Sequence, residues 1–229
     1  MAYYTTTVKP TITASKMAEG AYTAEDGLFG WTEITLPARG TLKLTNIAIV
    51  LRGADGARQE IALDLIFSTK NTYSFAEHAT SRIYPNNAMI GNWYIDVKHY
   101  GDTVDYFSMG NTTTTNNGLM IPGQSDGKIY VAGMCGVGQT PNLTSTLTVD
   151  EANFDAGAQT VITTADKDAR IIFSAGDVIH AADDAVLGTV KSVDSATQIT
   201  LTAANTDAIE DDDVLYNINP ITLILGFEK

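Results

Sequence analysis

The sequence predicts an all-β protein: a β-sandwich or jelly-roll-like body, an extended N-terminal arm and an inserted small β-barrel. Three observations predict it. First, only 18% of the residues are charged, against a usual share of about 25%, and Thr, Ala, Asn and Gly fill the deficit. β-branched residues suit a pleated surface and Gly supplies turns. Second, short apolar/polar alternations recur along the chain between Gly, Pro, Asn and Asp clusters. Third, the charge is uneven. Residues 150–217 hold fourteen Asp/Glu against three bases (Lys167, Arg170, Lys191), a net of −11, whereas residues 1–149 carry a net of −2. A near-neutral body therefore carries one strongly acidic module.

The elements follow in order. Residues 1–15 (MAYYTTTVKPTITAS) are polar, Thr-rich and aperiodic, and read as an arm ordered by what it lies against. Lys16–Phe29 is a short bridge, helical or irregular. Trp31–Leu36 alternates and Pro37 stops it. The clearest unit is a hairpin of Leu42–Leu51 and Ile61–Phe67 around the Asp55-Gly56 turn, with a phase slip at Thr45-Asn46 that marks a bulge. Tyr94–Val97, Lys128–Ala132 and Leu143–Val149 read as further strands. Asn111–Gly118 reads as a polar loop, and the glycines of Gly133–Gly138 as a kink. In the acidic module, Thr160–Thr163, Arg170–Phe173, Asp177–His180, Leu187–Val193, Gln198–Thr202 and Val214–Asn217 are spaced as short strands of a closed barrel, since closure removes exposed edges. The apolar Ile221–Phe227 must be buried and completes the body's sheet. The expected parts are 1–15 (arm), 16–149 plus 218–229 (body) and 150–217 (barrel), with the barrel inserted between adjacent strands Leu143–Val149 and Ile221–Phe227.

Composition limits function. The single cysteine, Cys135, excludes an intrachain disulfide and fits a reducing compartment. No apolar run approaches the roughly 18 residues of a membrane span, and the N-terminal segment lacks a signal-peptide pattern, so no membrane partner is expected. A pI near 4.4 argues against nucleic acid as a partner.

The stretches "LTNIAIVLRGADGARQEIALDLIFS" and "GKIYVAGMCGVGQTPNLTSTLTV" resemble small structural proteins of tailed bacteriophage particles, especially marine ones, in which a lone β-sandwich decorates the assembled head. The insert "FSAGDVIHAADDAVLGTVKSVDSATQITLTAANTDAIEDDDVLYNI" resembles an SH3-like barrel module spliced into phage virion proteins. Its pattern is Gly176-Asp177-Val178-Ile179, Gly188-Thr189-Val190, Thr197–Thr202 and a closing Val214-Leu215-Tyr216. The resemblance implies a virion location and no catalytic residues.

Candidate sites read blandly. Asp211-Asp212-Asp213, with Glu210 and Asp207, lacks the ligand order and tight-turn Gly of a calcium loop, and Asp183-Asp184 is a turn. His78, His99 and His180 lack zinc spacing. Gly133-x-x-Gly136-x-Gly138 is not a dinucleotide fingerprint. No metal, cofactor or catalytic residue is assigned, and the chain is expected not to be an enzyme. The expected role is capsid decoration: binding and stabilising an assembled phage shell, with the major capsid protein and copies of itself as partners. The expected contacts are Tyr3, Tyr4, Val8, Lys9, Pro10, Ile12 and Trp31, from aromatic anchors and an arm that augments a neighbour's sheet. Deleting residues 2–12 is then expected to abolish binding and leave the body folded. The alternatives are a tail-tube, neck or head–tail adaptor subunit and, below it, a host-surface or glycan-binding module. The module's only aromatics at 151–217 are Phe154, Phe173 and Tyr216. A glycan hydrolase, needing two carboxylates converging in a cleft, ranks last.

Overall fold

A computed structural model describes residues 2–17, 20–57, 59–72, 75–80, 88–101, 108–113, 118–182 and 184–229. In chain order the elements are β1 (Tyr3–Val8), α1 (Ala14–Met17), β2 (Gly27–Thr35), β3 (Leu42–Leu51), β4 (Leu63–Ser68), β5 (Met89–Ile95), β6 (Ser108–Thr113), β7 (Leu119–Ile121) and β8 (Lys128–Cys135). They continue as β9 (Thr146–Val149), β10 (Val161–Ala165), α2 (Ala169–Ile172), β11 (Val178–His180), β12 (Val186–Ser195), β13 (Gln198–Leu201), β14 (Val214–Asn217) and β15 (Ile221–Glu228). The fold is all-β. One sheet has the order β1-β15-β3-β6, with β7 also on β3, and the second runs β2-β8-β4-β5. β10-β13-β12-β11-β14-β9 close into a barrel.

Alternation builds the body. Leu42, Leu44, Ile47, Ile49 and Leu51 of β3 and Ile221, Leu223, Leu225 and Phe227 of β15 are buried together with Leu63, Leu65 and Phe67 of β4 and Ile129, Val131 and Cys135 of β8. One apolar layer thus lies between the two sheets, and each such Leu or Ile contributes roughly 1.5–3 kcal/mol by leaving water. The expected phase slip is a bulge: Gly226 pairs Asn46 and Phe227 pairs Leu44, so Thr45 is the extra residue. Its hydroxyl donates to the Gly226 carbonyl at 3.1 Å. Gly133 stays within β8, where the Phe29 ring occupies the space a side chain there would need, and the register against β2 is irregular beside it, between Phe29 and Thr32.

Four expectations are corrected. β3 and β4 are not a hairpin: β3 pairs β15, β6 and β7, while β4 pairs β5 and β8. The strands face each other across the core. Their connection passes through Asp55 (φ 54) and Gly56 (φ 95), and Gly53 lies so close to the 142–143 backbone that a Cβ would meet the Asn142 carbonyl at 2.5 Å. β9 does not flank β15. It pairs β10 and β14 inside the barrel, so the inserted unit starts at Thr146 and not at Asp150, and β15 lies between β1 and β3. Arg170–Phe173 is not a strand, because Asp168 caps α2 by accepting the Arg170 N–H at 3.0 Å, and Ala169 and Ile172 turn inward. Asn111–Thr113 belong to β6, paired with Asn46–Ala48. Positions 114–117 of that expected loop, and Asp183 of the expected turn, lie outside the described residues.

The barrel has its own core: Leu147, Val149, Ile162, Ile172, Phe173, Ile179, Leu187, Val190, Ile199, Leu201, Ile209 and Leu215, with Ala169. Val178 and Tyr216 pack instead against the body's core, so the two units share an apolar seam.

Candidate interaction surface and the barrel–body junction

The N-terminal segment is a strand of its own body. β1 runs antiparallel to β15 in the register Tyr3↔Glu228 to Val8↔Leu223, and Ala2 and Lys229 exchange backbone hydrogen bonds of 3.1 and 3.0 Å. The cause is β15, a central strand too apolar to leave with a bare edge. The seven expected contact residues are accordingly dispersed. Tyr3 is 72% exposed, Tyr4 packs partly on the core, and Val8, Pro10 and Ile12 are buried, Ile12 donating its N–H to the Ile218 carbonyl at 2.8 Å. Trp31 is half-buried, edge-on to Phe75 with ring centroids 5.8 Å apart. Lys9 turns to the barrel. A free arm reaching a neighbour through Val8, Lys9, Pro10 and Ile12 is therefore corrected: their side chains are committed within the chain.

Sequence reading missed the polar junction where Lys9 ends. Its ammonium donates to Ser174 Oγ at 2.9 Å, the Ala175 carbonyl at 2.7 Å and Asp177 Oδ1 at 2.5 Å. Asp177 is wholly buried, and its other oxygen accepts from Ser174 N–H (2.7 Å), Ser174 Oγ (3.1 Å) and Asn217 Nδ2 (3.2 Å). A buried carboxylate persists only when charge and donors surround it in this way. Asn219 stitches the same seam. Its carbonyl accepts the Val178 N–H at 2.7 Å, and its amide donates to the Pro10 carbonyl at 3.0 Å. Across the junction the polarity reverses: Lys167 of the barrel pairs with Asp55 of the body at 2.9 Å, and Asp55 accepts the Thr146 N–H at 2.9 Å. The sequence signal for this cluster is slight: Gly176-Asp177 after Phe173-Ser174, and two asparagines flanking Ile218.

Several of the remaining singled-out residues have structural partners. Asp213 accepts the Glu210 N–H (2.7 Å) and Asn153 the Asp211 N–H (2.9 Å), which makes the acidic run a hydrogen-bonded turn. Hydroxyls of Thr200 and then Ser192 hold the Asp194 carboxyl below its usual range. His78 stacks on Tyr22 with centroids 3.7 Å apart, and His99 Nδ1 accepts the Asp96 N–H at 2.9 Å. Burial pushes the Cys135 thiol up to about 11. Among the described residues, no three His, Cys, Asp or Glu side chains are grouped to hold a metal ion. No helix among the described residues is long and apolar enough to cross a membrane.

The exposed apolar side chains are unevenly placed. Tyr3, Tyr94, Val97, Met120 and Val137 lie on the body, against Val186 on the barrel. Tyr94 lies over Gly136, where a Cβ would stand 2.6 Å from its ring, beside exposed Val137.

No family model matches the chain, and no curated protein sequence matches it. Among solved structures it is similar to a D431N mutant VP2 protein of infectious bursal disease virus in T=1 particles, at 12% identity over 99% of this chain and 73% of that one. The TM-score of 0.19 is too low to carry any argument from that protein to this chain.

Proposed function

We propose that the chain is a structural component of a bacteriophage particle that binds the assembled capsid shell through its sandwich body and presents the acidic barrel outward. The observation that carries this reading is the division of surface character. Among the described residues, the near-neutral body holds most of the exposed large apolar side chains, and the barrel holds a net charge of −11. An apolar, weakly charged face suits burial against a partner, while a strongly acidic one favours water and repels its own kind. The contact runs over the body's outer surface, where Tyr94 of β5 lies over Gly136 beside exposed Val137. It replaces the free-arm contact. The partners are the major capsid protein and neighbouring copies of the chain, and stabilisation follows by mass action, since a ligand of the mature lattice alone lowers that lattice's free energy.

The test is co-sedimentation of the purified chain with expanded and unexpanded capsids of its own particle. Saturable binding at a fixed ratio to expanded shells alone is the expected result. No binding to either, with rings or tubes forming from the chain alone, would move the assignment to a tail-tube or neck subunit.

A further inference from the structure

The barrel is joined to the body by two short connections, 143–145 and 218–220, and two covalent strands by themselves leave a hinge. Lys9 closes that hinge from a distant part of the sequence, 168 residues from Asp177. It sits one residue beyond the end of β1, so its position is set by the β1–β15 register. Its ammonium fills a cradle of hydroxyl, carbonyl and carboxylate oxygens contributed by 174–177 of the barrel. Gly176 (φ +87) shapes the cradle's rim, with the Lys9 Nζ 3.8 Å from where a Cβ would stand. The Asn219 amide holds the Lys9 and Pro10 carbonyls at 3.2 and 3.0 Å, which fixes the chain leading out of the cradle.

We propose that β1 and Lys9 form a latch: docking of the N-terminal strand on β15 seats the Lys9 ammonium in the 174–177 cradle and so fixes the barrel's orientation on the body. Two consequences follow from the geometry. Drawing β1 off β15 withdraws the only cation bonded to Asp177 among the described residues, leaving a buried carboxylate with hydrogen bonds but no counter-charge. Displacement of β1 at the outer edge of the five-stranded sheet, such as its replacement on β15 by a partner's strand, is thereby transmitted to the barrel. The Asp55–Lys167 pair, whose side chains are about one-third exposed, contributes less and acts as a second, weaker tie. The inference does not rest on the virion reading.

The experiment compares the full chain with Lys9→Met, which keeps the aliphatic stem and removes the charge. Hydrogen exchange is followed by peptide, and particle dimensions by solution X-ray scattering. The expected result is at least about tenfold faster exchange at 174–178 and 218–220. A larger radius of gyration accompanies it, while β12 and β13 keep their protection because the barrel itself stays folded. Unchanged exchange in those segments with unchanged dimensions would overturn the latch, as would loss of protection throughout the barrel, which would make Lys9 a barrel-stability residue. Should Lys9→Met fail to fold, Ser174→Ala trims the cradle and leaves the ion pair. It is expected to move the same segments in the same direction by a smaller factor, and no change there would equally overturn the proposal.

Discussion

Glu77 illustrates how one side chain sets a pH response in a chain with so few perturbed groups. Burial pushes its carboxyl above the usual glutamate range, and the Thr13 N–H, which it accepts at 3.0 Å, only partly pulls it back. Lys16 also favours its charge, and Asp184 opposes it. With the folded pKa above the unfolded value of about 4.3, the folded state binds more protons in the interval between them. Stability from this group therefore falls as pH rises through that interval, and the deficit is complete above the folded pKa. Glu77→Gln keeps an acceptor for Thr13 and cannot ionise. The expected outcome is a variant whose urea midpoint exceeds the parent's at pH 7, with the gap closing below about pH 4. Midpoints that stay parallel across pH 4–8 would show that Glu77 does not titrate within the fold's stability range. Lys9 and Asp177 make the complementary point. Each stands out in the sequence for another reason, but their pairing does not, because a buried ion pair 168 residues apart leaves no spacing to read, whereas local signals such as the Thr45 phase slip are read directly.

At the scale of elements, β1 shows why an aperiodic Thr-rich stretch is misread as an arm. Its outward residues are Thr and Tyr, and only Val8 is fully buried, so the period-two signal is faint. What commits it to the sheet is the apolar β15 that needs a partner. Removing residues 2–8 is expected to cost about 7–9 kcal/mol, from six paired residues at about 1 kcal/mol per net hydrogen bond plus the lost burial of Val8. The bared β15 edge is also expected to drive self-association, read by thermal denaturation and gel filtration. A monomer with an unshifted melting temperature would restore the free-arm reading. Strand existence was legible where alternation is strong, as in β3, β15 and β13. Strand partnership was not. Alternation in β3 and β4 is satisfied equally by side-by-side pairing and by face-to-face packing, and only the strained 53–56 crossing and the close approach of Gly53 to the 142–143 backbone decide between them. α2 escaped for a similar reason: Ile171, Ile172 and Phe173 read as β-formers, and the Asp168 cap outweighs them.

For the whole molecule, the division into a neutral sandwich and an acidic barrel has a topological basis that can be tested. The barrel's six strands are contiguous in the chain, with a separate apolar core, and its entry and exit are neighbours: Thr146 pairs Tyr216, and the Asn217 N–H donates to the Ser145 carbonyl at 3.0 Å. Antiparallel neighbours lie about 5 Å apart, so a two-residue Gly linker joining Ser145 to Ile218 spans the gap without strain. The body lacking 146–217 is expected to fold, because among the described residues its core takes only Val178 and Tyr216 from the barrel, at a cost of about 2–4 kcal/mol for their lost burial. The shortened chain carries a net charge of −2 where the parent carries −13, so its solubility is expected to fall and to become less dependent on salt. If the body is the face that meets the shell, this variant co-sediments with expanded capsids at the parent's ratio. Loss of binding with the body's strand content retained by circular dichroism would reverse the orientation and make the acidic barrel the contacting unit.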